Sequence, residues 1–325
     1  MTVVVTGAAG FIGFHVASAL LARGERVVGI DVVNDYYDPR LKESRLARLG
    51  ENADFSFHRA DIADHERLFE ILAASGPLTG VIHLAAQAGV RYSLKNPYAY
   101  VHSNLLGQVA MFEAVRRLDP LPSFVYASSS SVYGGNDKFP FAVADRVDHP
   151  VSLYAATKRG GELLAESYAA MYGLPSTGLR FFTVYGPWGR PDMAYFSFTK
   201  AILAGEAIPV FNEGKLKRDF TYIDDIVAGV IAALDLPADP ARRHRLYNLG
   251  NNKSEPVLHF IKVLEKALDR KAIIRFEPMQ PGDVEVTAAE IEDSRRELGF
   301  KPITTIEQGL PRFVAWYKDY YGAGA

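Results

Sequence analysis

Short apolar runs rich in β-branched residues alternate along this chain with stretches whose apolar positions recur every three or four residues. Val3-Val4-Val5 is the first run, and its unbroken hydrophobicity predicts a strand covered on both faces. Ile12, Val16 and Leu20 follow at helical spacing. Residues 26–31, 55–61, 80–86, 124–127 and 176–181 read as further strands, and 97–118 and 150–172 as helices. Strands alternating with helices up to residue 181 predict an α/β fold built on a doubly wound parallel sheet. After Phe182 the alternation loosens. A Gly/Pro-rich loop at 186–192, a helix near 197–204, a strand at 208–211 and helices at 256–268 and 309–320 predict a second, smaller α/β domain over the strand ends. The division expected is 1–180 plus about 221–250 for the sheet domain, and about 181–220 plus 251–325 for the smaller one.

Composition narrows the function classes. The 325 residues are 48% hydrophobic and 23% charged, with a formal net charge of −2 and no long block of one sign, which argues against a general nucleic-acid surface. There are no cysteines, so disulfides and thiolate metal sites are excluded, and the eight histidines show no metal-ligand spacing; no metal is expected. No run of about 18 apolar residues is present to span a bilayer, and no basic leader precedes residues 2–7. A cytoplasmic protein is expected. The tail at 322–325 is expected to fray.

Candidate chemistry begins at Gly7-Ala8-Ala9-Gly10-Phe11-Ile12-Gly13, between the first strand and the first helix. A glycine-rich turn there lets backbone N–H groups approach a pyrophosphate at the positive helix end; a ligand-free connection is the alternative. Asp31 ends the second strand 18 residues beyond Gly13, where a carboxylate accepts from ribose hydroxyls and repels a 2′-phosphate, favouring NAD over NADP. Asp61 ends the third and can meet an adenine edge, and Leu84, Ala85 and Ala86 leave room for a cofactor against the backbone. Tyr154 and Lys158 stand four apart on one helix, and an ammonium beside a phenol should lower the phenol pKa enough for proton exchange with a hydroxyl. Alone that spacing is weak, an aromatic packing residue and a solvated lysine being the common case. Ser128 to Ser131 follow the fifth strand, where one hydroxyl can meet a reacting oxygen and the others serve turns or caps.

Thr6–Gly13, Asp31, the serine run and Tyr154-x-x-x-Lys158 together resemble the extended short-chain dehydrogenase/reductases that act on nucleotide sugars, a Rossmann-type family. The similarity covers nearly the whole chain. Segments 34–38, 85–93, 181–193 and 217–225 are most similar to members that epimerise UDP-glucuronate at C4. The resemblance implies tightly bound NAD held by Gly7, Gly10, Phe11, Ile12, Gly13, Asp31, Asn34, Asp61, Ile62, Leu84, Ala85, Ala86, Gln87, Asn104, Tyr154, Lys158 and Phe181. It implies a catalytic set of Ser129, Tyr154 and Lys158, and a UDP-sugar met by Gln87, Arg91, Ser129, Ser130, Ser131, Thr183, Arg190, Phe211, Arg218 and Asp283. Within that set Arg218 would take the diphosphate, Phe211 the uracil and Asp283 the ribose. Gln280 stands where an arginine is often found, which leaves one diphosphate contact without its usual residue.

Arg190 is the sharpest substrate expectation, because a C6 carboxylate asks for a guanidinium fork or a set of hydroxyl donors; a solvated arginine is the alternative. Related dehydratases and decarboxylases carry an acid just before Val132-Tyr133-Gly134, where this chain has Ser131. That counts against a dehydratase and less firmly against a decarboxylase. A neutral UDP-glucose/UDP-galactose 4-epimerase and an idle NAD-binding protein are the remaining rivals. A homodimer through 97–118 and 152–172 is expected from the family.

Overall fold

The computed structural model describes residues 1–280 and 283–322. Most of the tail and the Pro281-Gly282 pair before Asp283 lie outside them. In chain order the elements are β1 (Thr2–Thr6), α1 (Phe11–Ala22), β2 (Arg26–Asp31), α2 (Pro39–Gly50), β3 (Phe55–Arg59), α3 (His65–Ala74), β4 (Gly80–His83), α4 (Pro97–Tyr100), α5 (Gly107–Val115), β5 (Ser123–Ser129), α6 (Leu153–Tyr172), β6 (Ser176–Phe181), β7 (Thr183–Tyr185), α7 (Ala194–Ala204), β8 (Ala207–Phe211), β9 (Lys217–Tyr222), α8 (Ile223–Leu234), β10 (His244–Leu249), β11 (Ser254–Pro256), α9 (Val257–Leu268), β12 (Ile273–Glu277), α10 (Glu292–Leu298) and α11 (Ile306–Tyr321).

Seven strands form one parallel sheet in the order β10-β6-β5-β4-β1-β2-β3. The direction of strand succession reverses between β1 and β4, so their C-terminal ends diverge into a crevice, the usual ligand position in such sheets. One face buries Leu68, Ile71, Met111, Phe112, Ala165 and Tyr168 from α3, α5 and α6; the other buries α1 and α8 in a core that continues into the smaller lobe. Both faces being covered explains why β1, β4 and β6 are fully or almost fully buried.

The helix expected over 97–118 is interrupted. Between α4 and α5 the residues Val101–Leu106 form a π-helical turn, which displaces the side chains that follow from ordinary helical register. The edge strand β10 and helices α2, α3 and α8 have no counterpart among the predicted elements. In β10 the sequence His-Arg-Leu-Tyr-Asn-Leu carries no apolar run, because its first half lies at a partly exposed edge.

The second lobe contains the sheet β11-β9-β7 and the parallel pair β12-β8. β9 runs straight into α8, which returns the chain to the large sheet. Phe220 and Phe260 stack at 4.2 Å, and Phe313 and Tyr195 meet edge-on at 4.8 Å. Asp219 is completely buried and accepts backbone N–H groups of Asn251 at 2.6 Å, Asn252 at 3.1 Å and Ala289 at 3.0 Å. Those bonds tie β9 to the turn after β10 and to the segment before α10. Among the described residues, no helix is long and apolar enough to cross a membrane.

Candidate active site

A cleft of about 700 Å³ opens at the diverging ends of β1 and β4. Its floor is the turn from β1 to α1. Gly7 has φ +72°, and a Cβ on it would lie 2.8 Å from Ala85 N; one on Gly13 would lie 2.0 Å from Gly7 O. Only glycine permits this turn. α1 then begins with no side chain capping its first turn, so the amides of Phe11, Ile12 and Gly13 face the cleft without an intrahelical partner. That is a donor set for an anion.

Asp31 accepts from Ala9 N at 3.1 Å and Val33 N at 2.8 Å, which takes one lone pair on each oxygen and leaves the others for a ligand. Burial raises its pKa, against the pull of those amides and of the neighbouring cations Lys42 and Arg45. Asp61 accepts from His102 Nε2 at 2.8 Å and Ala63 N at 2.9 Å. Every residue expected to bind cofactor lines the cleft except Asn104. Asn104 stands behind that lining, engaged in hydrogen bonds within the protein. Its Oδ1 accepts from Gln87 N at 2.8 Å, and its Nδ2 donates to Gln87 O and to Thr157 Oγ1, both at 3.0 Å. It fastens the segment after β4 to α6 from behind, and it comes from the π-helical turn.

Tyr154 and Lys158 project from the first turns of α6 into the cleft beside Ser129. The lysine ammonium is engaged with the main chain. Lys158 Nζ donates to Ala127 O of β5 at 2.9 Å, and burial lowers its pKa to about 8, Glu162 opposing. Burial pushes the Tyr154 phenol above its ordinary value, offset in part by the Ser129 hydroxyl and the Arg190 guanidinium. The expected drop is therefore absent in the protein by itself, because dehydration outweighs the nearby positive charge. Ser129 Oγ also accepts from Ser131 N at 3.2 Å.

Arg190 lines the cleft on the side facing Tyr154. Its side chain is 23% exposed but engaged: Nε and Nη2 grip the two oxygens of Asp192 at 3.0 and 2.6 Å, and Tyr36 Oη donates to the same carboxylate at 3.1 Å. Burial alone would raise the Asp192 pKa, but Arg190 holds it below the usual carboxylate value. Asp192, which holds Arg190, and Tyr36 and Lys42, which line the cleft, are residues that pattern reading missed. The first two lie inside the segments that carry the family resemblance, which is the one signal that pointed toward them; Lys42 donates to Asn34 O at 2.8 Å and Oδ1 at 2.6 Å.

The other expected substrate residues divide in two. Ser130, Ser131 and Thr183 follow β5 and β6 beside the cleft without lining it, and Ser131 Oγ is buried with no partner among the described residues. Arg91, Phe211, Arg218 and Asp283 lie apart from the cleft lining but together. The Arg91 guanidinium sits 4.7 Å from the Phe211 ring centroid and 3.4 Å from Asp283 Oδ2. Burial lowers the Arg218 pKa, with Asp283 opposing and Arg91 adding to it. Segments distant in sequence thus form one cationic, aromatic patch with a single acid.

Residues 3–250 match the model of the NAD dependent epimerase/dehydratase family. UDP-glucuronate 4-epimerase 3 of Arabidopsis thaliana is 50% identical over 99% of this chain and 78% of its own length. The crystal structure of UDP-glucuronic acid 4-epimerase from Bacillus cereus, in complex with UDP-glucuronic acid and NAD, superposes with a TM-score of 0.89 at 35% identity, covering 99% of this chain and 100% of that one. UDP-glucose 4-epimerase from Thermotoga maritima reaches 0.88 at 28% identity, covering 99% and 100%. Backbone shape therefore does not separate acidic from neutral sugars. The chain belongs to the NAD dependent epimerase/dehydratase family.

Proposed function

We propose that the chain catalyses reversible NAD-dependent epimerisation of UDP-glucuronate at C4, giving UDP-galacturonate through a 4-keto sugar. The observation that carries this reading is the meeting of Ser129, Tyr154 and Lys158 with the Arg190 guanidinium in one cleft. The glycine turn, its uncapped amides and Asp31 fit NAD, whose bound form supplies the two-electron oxidation and re-reduction of C4. Tyr154 takes the C4 hydroxyl proton and later returns it, and Ser129 orients that oxygen. Lys158, one helical turn along α6, supplies the positive charge that in this reading favours the phenolate.

Arg190 meets the C6 carboxylate together with the hydroxyls of Ser130, Ser131 and Thr183. Asp192 already holds the Nε–Nη2 edge, so both N–H groups of Nη1 and the second of Nη2 remain as donors, and Ser131 Oγ, unpartnered among the described residues, supplies another. The 4-keto uronate is a β-keto acid, so a carboxylate held near the carbonyl plane resists loss of CO₂. The patch of Arg91, Phe211, Arg218 and Asp283 takes the uridine diphosphate. In this reading 1–180 plus about 221–250 bind the dinucleotide, and about 181–220 plus 251–325 bind the UDP-sugar. Two copies pair through 97–118 and 152–172, where Leu105, Leu106, Val109, Leu163 and Leu164 line an exposed apolar groove; a monomer mass by light scattering would refute the pairing. The cysteine-free chain is read as cytoplasmic.

Incubating the protein with UDP-glucuronate and following the sugar by NMR tests the activity. UDP-galacturonate should appear without net CO₂ release. UDP-xylose would identify a decarboxylase, turnover confined to UDP-glucose a neutral-sugar epimerase, and no turnover an idle NAD-binding protein.

A further inference from the structure

Three consecutive carbonyls immediately before Arg190 are held by side chains from the large sheet's first two helices. His15, on α1, donates from Nε2 to Pro187 O at 2.9 Å. Arg45, on α2, donates from Nη2 to Trp188 O at 2.6 Å and Gly189 O at 3.1 Å. Its other arm, Nη1, reaches Ala9 O in the glycine turn at 2.8 Å and Tyr37 Oη at 2.7 Å. Arg45 is completely buried, and these four acceptors are three carbonyls and a phenol, with no carboxylate among them.

A buried guanidinium whose hydrogen bonds all go to neutral oxygens, with Nε left unpartnered among the described residues and the Asp31 carboxylate near but not bonded to it, is a costly arrangement. What it holds is a strained segment. Trp188 has φ +58°, a left-handed conformation that a bulky side chain avoids. At Gly189 a Cβ would lie 2.0 Å from Tyr195 Oη, and that same hydroxyl accepts from Arg190 N at 3.3 Å. The histidine is equally committed. A carbonyl only accepts, so Nε2 carries the proton. Burial, with Arg45 adding to it, keeps the ring neutral with a pKa of about 4, against the raising effect of the Pro187 bond.

We infer that His15 and Arg45 are positioning residues that couple the glycine turn to the reach of Arg190. The inference rests on the reading of Arg190 as the contact for the sugar carboxylate. Through Ala9 O on one arm and Trp188 O and Gly189 O on the other, Arg45 makes the seat of the dinucleotide and the seat of the carboxylate one rigid unit. A displacement of about 1 Å in that loop changes affinity for an acidic sugar without touching uridine diphosphate.

The test uses the full chain and four variants: His15→Phe, which removes the donor; His15→Gln, which restores an N–H; Arg45→Lys, which keeps charge but loses the fork; and Arg190→Ala. KM and kcat for UDP-glucuronate, the fraction released as CO₂, affinity for UDP and bound NAD are read for each. His15→Phe and Arg45→Lys should raise KM for UDP-glucuronate on the order of tenfold, or raise CO₂ release, with UDP affinity and NAD content held within about twofold. His15→Gln should recover most of the loss. Equal weakening of UDP and UDP-glucuronate, or no change in KM and CO₂ for His15→Phe, overturns the inference. If Arg45→Lys does not fold, the two His15 variants decide. If Arg190→Ala leaves KM and CO₂ release unchanged, the carboxylate reading itself fails; if only Arg190→Ala has an effect, that reading stands and the coupling falls.

Discussion

Tyr154 is the residue on which the proposed proton transfer turns, and its environment makes the prediction specific. Replacing it with Phe keeps the ring that meets Tyr100 at 5.9 Å and removes only the hydroxyl. Turnover of UDP-glucuronate should fall by about 10²–10⁴, the usual contribution of one acid–base group, with UDP affinity retained. Steady-state kinetics beside UDP titration measure both; a loss below about tenfold would move the proton transfer to another group. The Tyr154–Lys158 pair was legible because one helical turn is a local property of sequence. Where the ammonium points was not, since its acceptor Ala127 O lies 31 residues away on β5. The same holds for Arg190. Its charge, its loop and its neighbour Asp192 two residues on could be read from sequence, but the hydrogen bond by which Tyr36 fixes that carboxylate spans 156 residues.

At the scale of elements, α6 carries the reacting side chains and must be held in register with β5 and β6. A buried ion pair does this one turn beyond Lys158. Glu162 accepts from Arg180 Nε at 2.7 Å and Nη2 at 2.9 Å, from Ser128 Oγ at 2.6 Å and from Arg159 Nη1 at 3.1 Å. Glu162 and Arg180 are each 1% exposed, so breaking the pair leaves an uncompensated charge. Glu162→Gln should cost about 3–5 kcal/mol in urea unfolding, and adding Arg180→Met should return part of it. A cost below about 1 kcal/mol would mean that water or Asp145 takes over, and the strap would be abandoned. The alternation of β1, α1 and β2 could be read because each strand is an unbroken apolar run. The interruption after α4 could not. A π-helical turn has the same composition as the helix around it, and what fixes it here is a set of partners, Gln87 and Thr157, from two other elements.

For the whole molecule, two histidines buried as neutral groups make the fold sensitive to acid. His83, at the end of β4, has Nδ1 2.8 Å from Thr6 Oγ1, and burial, with Lys158 adding to it, lowers its pKa to about 3. His15 is lowered to about 4, again chiefly by burial. A folded-state pKa below the unfolded value of 6.5 means a stabilisation that is complete above pH 6.5 and lost as pH falls toward 4 and 3. Each ring contributes a slope of up to about 1.4 kcal/mol per pH unit. Asp219 works in the opposite sense. Burial raises its pKa to about 6, so its contribution is fully present below 3.8 and lost as pH rises through 6. The slope of the native protein therefore mixes opposing terms, whereas the difference between native protein and His83→Asn isolates one ring. At pH 7 the variant should be the less stable of the two, having lost the fitted imidazole. Between pH 6.5 and 4.5 the gap should close, by up to about 1.4 kcal/mol for each pH unit, because only the native chain takes up that proton on unfolding. Urea midpoints at constant ionic strength across that range measure the gap. A gap that stays constant with pH would show that His83 is charged in the fold, and the bond to Thr6 would then have to be assigned with the ring as a double donor.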